Sequence, residues 1–401
     1  MEFKEYRLAD IGEIITGKTP SKSNSEFYNS EDIMFIKPDD LSLDKILLLR
    51  KSKEYISKRG SETVRLLPKG SVLVTCIGII GKVAILAQEV AAFNQQINAI
   101  IPNENIINSK YLAYRIWYDR LKLQDMANAP VVPIINKTQF SEFKITVPCL
   151  EYQLKVINIL NKAEELINKR INQIAALDQL TQSVFLEIFG DPGTNPKKWS
   201  VGTIEDLTLK TQYGTSKKAN ESTGTYPVLR MGNITYNGFW DLSDLKYIDL
   251  NEKEVEKYLV YKGELLFNRT NSKELVGKTA VYREEQPMAY AGYLVKLIPN
   301  EKANSEFISA YLNSKYGKAI LYSMAKNIVG MANINAEELK MIKIYMPPKE
   351  LQDKYASITL NILKKRELLI DGLYALEENF NSLMQRAFKG ELLNEEKILK
   401  I

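Results

Sequence analysis

The chain has 401 residues, 45% hydrophobic and 26% charged, with a net charge of +5, two cysteines and no histidine. That is the profile of an ordinary globular protein of two or three domains, not of a disordered chain or a disulfide scaffold. Without an imidazole there is no Ser-His-Asp or Cys-His nucleophile, and two thiols, Cys76 and Cys149, cannot complete a common zinc site. The opening residues MEFKEYRLADIGEI lack the apolar core of a secretory signal, and no run is long and apolar enough for a membrane span, so a cytoplasmic location is expected.

In chain order, GEIITGKT (12–19) spells the Gly-x4-Gly-Lys-Thr of a nucleotide-binding loop. The context argues against it. Pro20 pushes Thr19 away from the helical geometry that loop requires, and the interior Glu-Ile-Ile-Thr is β-branched and acidic. A strand EIIT ending in a polar turn GKTPSK is the better reading. The paired Asp39-Asp40 carries no mark of catalysis. NPKKW (195–199) lacks the second proline of the Asn-Pro-Pro-aromatic tetrapeptide with which adenine methyltransferases hold the target amine. No dinucleotide fingerprint is present either.

The dominant feature is a repeat. LPKGSVLVT (67–75) returns as VYKGELLFN (260–268), and GKVAIL (81–86) as GKTAVY (277–282). AIIPNENIINSKYLAY (99–114) returns as KLIPNEKANSEFISAY (296–311), INKTQF (135–140) as INAEEL (334–339), and ITVPCLEYQL (145–154) as IYMPPKELQD (344–353). ITGKTPSK (15–22) matches TQYGTSKK (211–218), and QSVFLEIFG (182–190) matches NSLMQRAFKG (381–390). The spacing drifts between 193 and 199 residues while the order is kept. A period this long marks a duplicated domain, not a solenoid.

Each copy begins with short β-rich runs broken by Gly, Asn and Pro, with one helix expected over KYLAYRIWYDRLKL and its copy SEFISAYLNSKYGKAI. Each ends in a run without helix breakers, apart from Pro348 at a start and Gly372 inside. Leu160, Ile167 and Ile174 recur every seven residues with Ala163, Leu177 and Val184 alongside. Ile362, Leu369, Leu376 and Leu383 do the same in the second run. This period predicts coiled-coil helices. Ile157, Ile171, Phe185 and Leu368 lie off the two-helix seam and are expected to face partner helices. The fold class is therefore α+β, two similar globular domains joined by two long antiparallel helices in a pseudo-twofold tandem repeat. The boundaries are 1–148, first domain; 149–190, first helix; 191–346, second domain; 347–401, second helix and tail.

Polar groups cluster between the strands: GKTPSKSNSE (17–26), KPDD (37–40), FNQQIN (93–98) and NAPVVPIINKT (128–138), then YGTSKKANES (213–222), RMGN (230–233), FNRTNSKE (267–274) and NIVGMANIN (327–335). Such side chains contact phosphates and base edges, although solvated loops favour them too. The candidate DNA-contacting residues are Lys18, Thr19, Ser21, Lys22, Lys37, Lys82, Asn94, Gln95 and Gln96 in the first copy. In the second they are Tyr213, Thr215, Ser216, Lys217, Arg230, Asn233, Asn268, Arg269, Asn271, Lys278 and Asn333. No catalytic or metal-binding residue is assigned.

The tandem layout, QYGTSKKA, VLRMGNI, FNRTNSKELVGKTAVY and the FGDPGTNPKKW junction resemble a type I restriction-modification specificity subunit over nearly the whole chain. VTCIGIIGK in the first copy is a looser match. The resemblance implies two target-recognition domains, each reading half of a bipartite, asymmetric double-stranded DNA site, and helices that bind two methyltransferase subunits. It also implies that S-adenosylmethionine belongs to those partners, that ATP and Mg belong to a restriction subunit where one is present, and that this chain has no cofactor or catalysis of its own. The alternative is a coiled-coil adaptor between proteins that reads no DNA.

Overall fold

A computed structural model describes residues 3–127, 132–328 and 331–392. Parts of two candidate loops (128–131 and 329–330) and the tail from 393 lie outside the described residues. The chain forms two compact units, 1–170 with 372–401, and 171–371.

In the first unit, a five-stranded sheet holds in order Gly12–Thr16, Ile97–Pro102, Val72–Thr75, Val83–Leu86 and Leu47–Leu49. A four-stranded sheet holds Glu54–Ile56, Ile33–Ile36, Val90–Phe93 and Leu66–Pro68. Lys4–Arg7 pairs antiparallel with Lys144–Val147. The run VLVT is apolar without alternation because both faces of its strand are covered. Val72 and Val74 face one core, shared with the helix Ser109–Tyr118, while Leu73 faces another with Ala84 and Leu86.

The second unit repeats this order. One sheet holds Thr208–Tyr213, Leu294–Pro299, Leu265–Asn268 and Thr279–Val281. The other holds Lys246–Ile248, Tyr226–Leu229, Met288–Tyr290 and Leu259–Val260. One pair that is parallel in the first unit, Ile33–Ile36 with Val90–Phe93, is parallel in the second too, Tyr226–Leu229 with Met288–Tyr290. Each unit also adds something of its own. Leu47–Leu49 extends the first, and a small sheet of Thr270–Asn271, Met331–Asn333 and Lys326–Ile328 extends the second.

The single helix expected over KYLAYRIWYDRLKL is two, Ser109–Tyr118 and Arg120–Asp125. The chain turns at Asp119, whose buried carboxylate pairs with Arg115 and Lys122. Its copy breaks at Ser314, whose hydroxyl caps the next helix by accepting from the Gly317 amide at 3.0 Å. In both places a local polar contact outweighs the apolar periodicity.

The long helices run Leu150–Phe189 and Lys349–Phe388, 40 residues each, or roughly 60 Å at 1.5 Å per residue. In the first unit Tyr152, Val156 and Leu160 share a core with Phe380, Met384, Ala387 and Phe388. The Tyr152 hydroxyl donates to the Ala387 carbonyl at 3.0 Å, so the start of one helix meets the end of the other. In the second unit Phe185 and Phe189 pack on Tyr355, and Arg366 donates to Asp178 at 2.7 Å, again an antiparallel pairing. Of the seam positions, Leu160 and Ile362 are buried, while Ile167, Ile174, Leu177, Val184, Leu369, Leu376 and Leu383 are half-buried. Phe185 departs from expectation. It is 3% exposed, inside an aromatic cluster with Phe189, Phe307 and Tyr355, because the domain core extends onto the helix. Ile157 packs against the first core, whereas Ile171 and Leu368 are exposed.

One junction is built twice. Fully buried Gln153 accepts from the Asn108 amide and donates to the Ile106 and Pro148 carbonyls, each at 2.9 Å. Gln352 accepts from the Asn304 amide and donates to the Lys302 and Pro347 carbonyls at 2.9–3.0 Å. Either side chain satisfies three backbone groups where a domain meets a helix. Gln153→Ala or Gln352→Ala should therefore cost about 2–3 kcal/mol, since buried backbone groups are left unpaired. Denaturant unfolding measures this, and a loss below about 0.5 kcal/mol would mean that water replaces the amide.

Candidate nucleic-acid interface

The GKT turn leaves the strand Gly12–Thr16 without entering a helix; the next element is a 3-10 turn at Ser25–Phe27. Gly17 is required there by close approach. A Cβ on it would lie 2.2 Å from the Asn94 carbonyl oxygen, and one on Gly214, its copy, 2.3 Å from that of Ala291. Each glycine lets the end of one strand press on the loop that follows another. In the first unit this joins two candidate loops. Thr19 Oγ1 donates to Gln95 Oε1 and accepts from Asn94 Nδ2, and Asn94 Oδ1 accepts from the Gln96 amide at 2.7 Å. Lys18, Ser21, Lys22 and Gln95 are exposed on this edge. Lys37 is engaged by Glu54.

In the second unit the corresponding edge carries Arg269. Its guanidinium lies 4.9 Å from the Tyr213 ring, and the Tyr213 hydroxyl accepts from the Ala336 amide at 3.0 Å. The ring is fixed at its far end and supports a half-buried cation. Asn333 donates to Thr270 Oγ1 at 2.7 Å, and Asn271 accepts from the Ser272 amide at 2.9 Å. Ser216 is exposed, Lys217 pairs with Glu254, and Arg230 pairs with Asp244.

Other candidates are turned inward. Lys278 is 8% exposed and donates to the carbonyls of Met231, at 2.9 Å, and Ile234; burial holds its ammonium below the usual lysine range. Lys82, at the equivalent position, donates to the Pro38 carbonyl at 3.1 Å. Each lysine braces the same kind of 3-10 turn. In one, Asp40 accepts from the Lys37 amide at 2.8 Å; in the other, Asn233 accepts from the Arg230 amide at 2.8 Å. Asn233 also donates to the Asp241 and Asp244 carbonyls, Asn268 is fully buried beneath Met231, and Thr215 is buried, capping the Lys217 amide. These residues hold the loops in shape instead of presenting their polar atoms to a ligand.

Burial pushes the Cys76 thiol up to about 12, far from a reactive thiolate. Among the described residues no cluster of acidic or thiol side chains is arranged for a metal, and no helix is long and apolar enough to cross a membrane.

A duplicated α+β scaffold that presents two different sets of polar side chains from equivalent loops is a recognition module. The model of the type I restriction modification DNA specificity domain matches residues 1–176 and again 196–373, and the chain belongs to that family. It is 24% identical to the MjaIX specificity subunit of Methanocaldococcus jannaschii, over 97% of this chain and 93% of that one. The S subunit of a type I system from M. genitalium aligns over 97% of this chain and 96% of its own, with a TM-score of 0.56 at 13% identity. A chain from a structure concerned with complex assembly and conformational transition of the type I R-M system aligns over 97% and 98%, with a TM-score of 0.60 at 15% identity. The chain is a non-catalytic DNA specificity subunit.

The inward placement of Lys278 has a measurable consequence. Lys278→Met should lower stability by about 1–2 kcal/mol through the two carbonyls it abandons, with faster amide exchange across 230–234. A variant of unchanged stability and exchange that loses DNA affinity would make Lys278 a contact instead.

Proposed function

We propose that each domain reads one half of a bipartite, asymmetric DNA site and that the long helices dock two adenine-N6 methyltransferase subunits in the cytoplasm. S-adenosylmethionine then belongs to those partners, and ATP and Mg to a restriction subunit where one is present. The carrying observation is one scaffold with two chemistries. Thr19, Asn94 and Gln95 gather at the loop edge of one unit; at that of the other stands Arg269 over Tyr213, where the first copy has Cys76. Amide side chains pair two-pronged with adenine, and a guanidinium with guanine, in the major groove. Support for docking comes from apolar side chains that the long helices leave exposed, including Leu154, Leu166, Ile171, Leu180, Leu368 and Tyr374.

Mapping N6-methyladenine across the source genome with and without this gene tests the reading. One gapped motif should disappear on deletion. Arg269→Ala should relax a single half of that motif, by about 1–3 kcal/mol of discrimination at one base pair. Relaxation of both halves together would break the assignment of one domain to one half-site. An unchanged map, with methyltransferase subunits still co-purifying, would favour the adaptor.

A further inference from the structure

Beyond the loop that carries Arg269, the second unit holds a cavity of about 360 Å³ between residues 273–278 and the helix Lys315–Met324. Lys273, Lys315 and Lys318 line it, with Tyr236 and Tyr322 as its aromatic walls. Lys318 Nζ donates to the Tyr236 carbonyl at 2.6 Å and sits 3.2 Å from the centre of that ring. Lys273 Nζ lies 4.6 Å from the centre of the Tyr322 ring. Lys278 also lines the cavity, its ammonium directed to the Met231 and Ile234 carbonyls. The one carboxylate of the lining, Glu274, is held below the usual carboxylate range by its own amide, by the Ser272 hydroxyl and, more weakly, by the charge of Lys273. Among the described residues, no carboxylate comes within ion-pair distance of Lys273, Lys315 or Lys318, and Lys318 is the half-buried one that also lacks a counter-charge beside it in the lining.

A half-buried cation without a counter-charge is costly, and a bound anion offsets that cost. Burial lowers the Lys318 pKa to about 8. The first unit offers a contrast. Its shorter loop, CIGIIG (76–81), contains no charged residue. In its matching helix Arg120 stacks on Trp117 at 4.4 Å, and Lys122 has the carboxylate of Asp119 as its counter-charge. A cavity lined by more lysines than carboxylates is thus a feature of the second recognition domain. Lys273 follows Arg269 by four residues, a span of at most roughly 14 Å, so a duplex engaged at Arg269 brings its own backbone within reach.

We propose that this cavity seats a phosphodiester of the DNA bound by the second recognition domain, with Lys273, Lys315 and Lys318 as its cationic contacts. This rests on the DNA-reading function above and adds a backbone anchor to it. The anchor fixes the register of the domain on the duplex without reading a base.

The test uses the chain assembled with its co-purifying partners and a duplex bearing the motif recovered by methylation mapping. Lysine acetylation followed by mass spectrometry should show Lys273, Lys315 and Lys318 protected several-fold by the duplex. Lys318→Met should lower the slope of log affinity against log salt by roughly 0.9 while leaving the methylated motif unchanged; Lys318→Arg should restore the slope. The Lys318 pKa, lowered in the free cavity, also predicts a pH signature. As pH rises through about 8 the empty cavity loses its proton, so wild-type affinity should fall more steeply than that of Lys318→Met. Glu274, Lys273, Lys278, Lys315, Tyr236 and Tyr322 remain common to both proteins.

Equal acetylation with and without a duplex that binds, together with an unchanged salt slope in Lys318→Met and in Lys273→Ala/Lys315→Ala, would overturn the inference and leave the DNA-reading function standing. Protection by inorganic phosphate but not by the duplex would overturn it in favour of a free-anion site. Failure of the wild-type complex to bind the duplex would remove the functional reading, and the anchor with it.

Discussion

At the first turn of each long helix, a buried glutamine closes three backbone hydrogen bonds that would otherwise be left open. Gln153 and Gln352 each accept from the amide of the asparagine that caps a domain helix, Asn108 or Asn304, and donate to carbonyls on either side of the crossing. A domain joined to a 40-residue helix by an ordinary loop would swing about it. Here the backbone of the domain and the start of the helix share one side chain, and rotation would strand buried polar groups at about 1–3 kcal/mol apiece. Around it, the aromatic packing of Phe185, Phe189, Phe307 and Tyr355 in one unit, and of Tyr111, Tyr152 and Phe388 in the other, makes the junction part of a core. The direction of the helix therefore sets the direction in which the recognition loops of its own unit point.

Much of this was legible in the residues. Apolar positions every seven residues predicted two long helices, because helix geometry is local. Where the reading failed, non-local contacts decided. Phe185 looks like an outward position when the seam is considered alone; Phe307 and Tyr355, far away in sequence, bury it. The turn at Asp119 was hidden because a periodic pattern does not announce that a carboxylate will be buried against Arg115.

The loops were harder still. A lysine that contacts phosphate and a lysine that braces a carbonyl look identical in a sequence. Yet the duplication held a clue. Lys82 and Lys278 follow a glycine at the same place in both copies while the surrounding loops change. A residue kept in two copies that carry different loop chemistry belongs to their shared framework. Lys315 and Lys318 were passed over for the opposite reason. Their segment belongs to the expected helix of the second copy, and only the folded chain shows that KYGKAILYSM, with two cations and no carboxylate, lines a cavity.

The two lysine struts also bear on how such a scaffold can acquire new specificity. Lys82 and Lys278 hold their turns through main-chain carbonyls, those of Pro38 and of Met231 and Ile234, and so ask nothing of the side chains there. Gly17 and Gly214 likewise set loop positions through contacts with backbone oxygens of Asn94 and Ala291. Because these anchors act on backbone atoms, KPDD can become RMGN, and Cys76 of one copy can be Arg269 of the other, without disturbing them. Binding chemistry is thereby separated from the interactions that keep the loop in place. Recognition by either domain can then change by substitution at the exposed positions, while stability stays with the buried struts, glycines and glutamines that both copies retain.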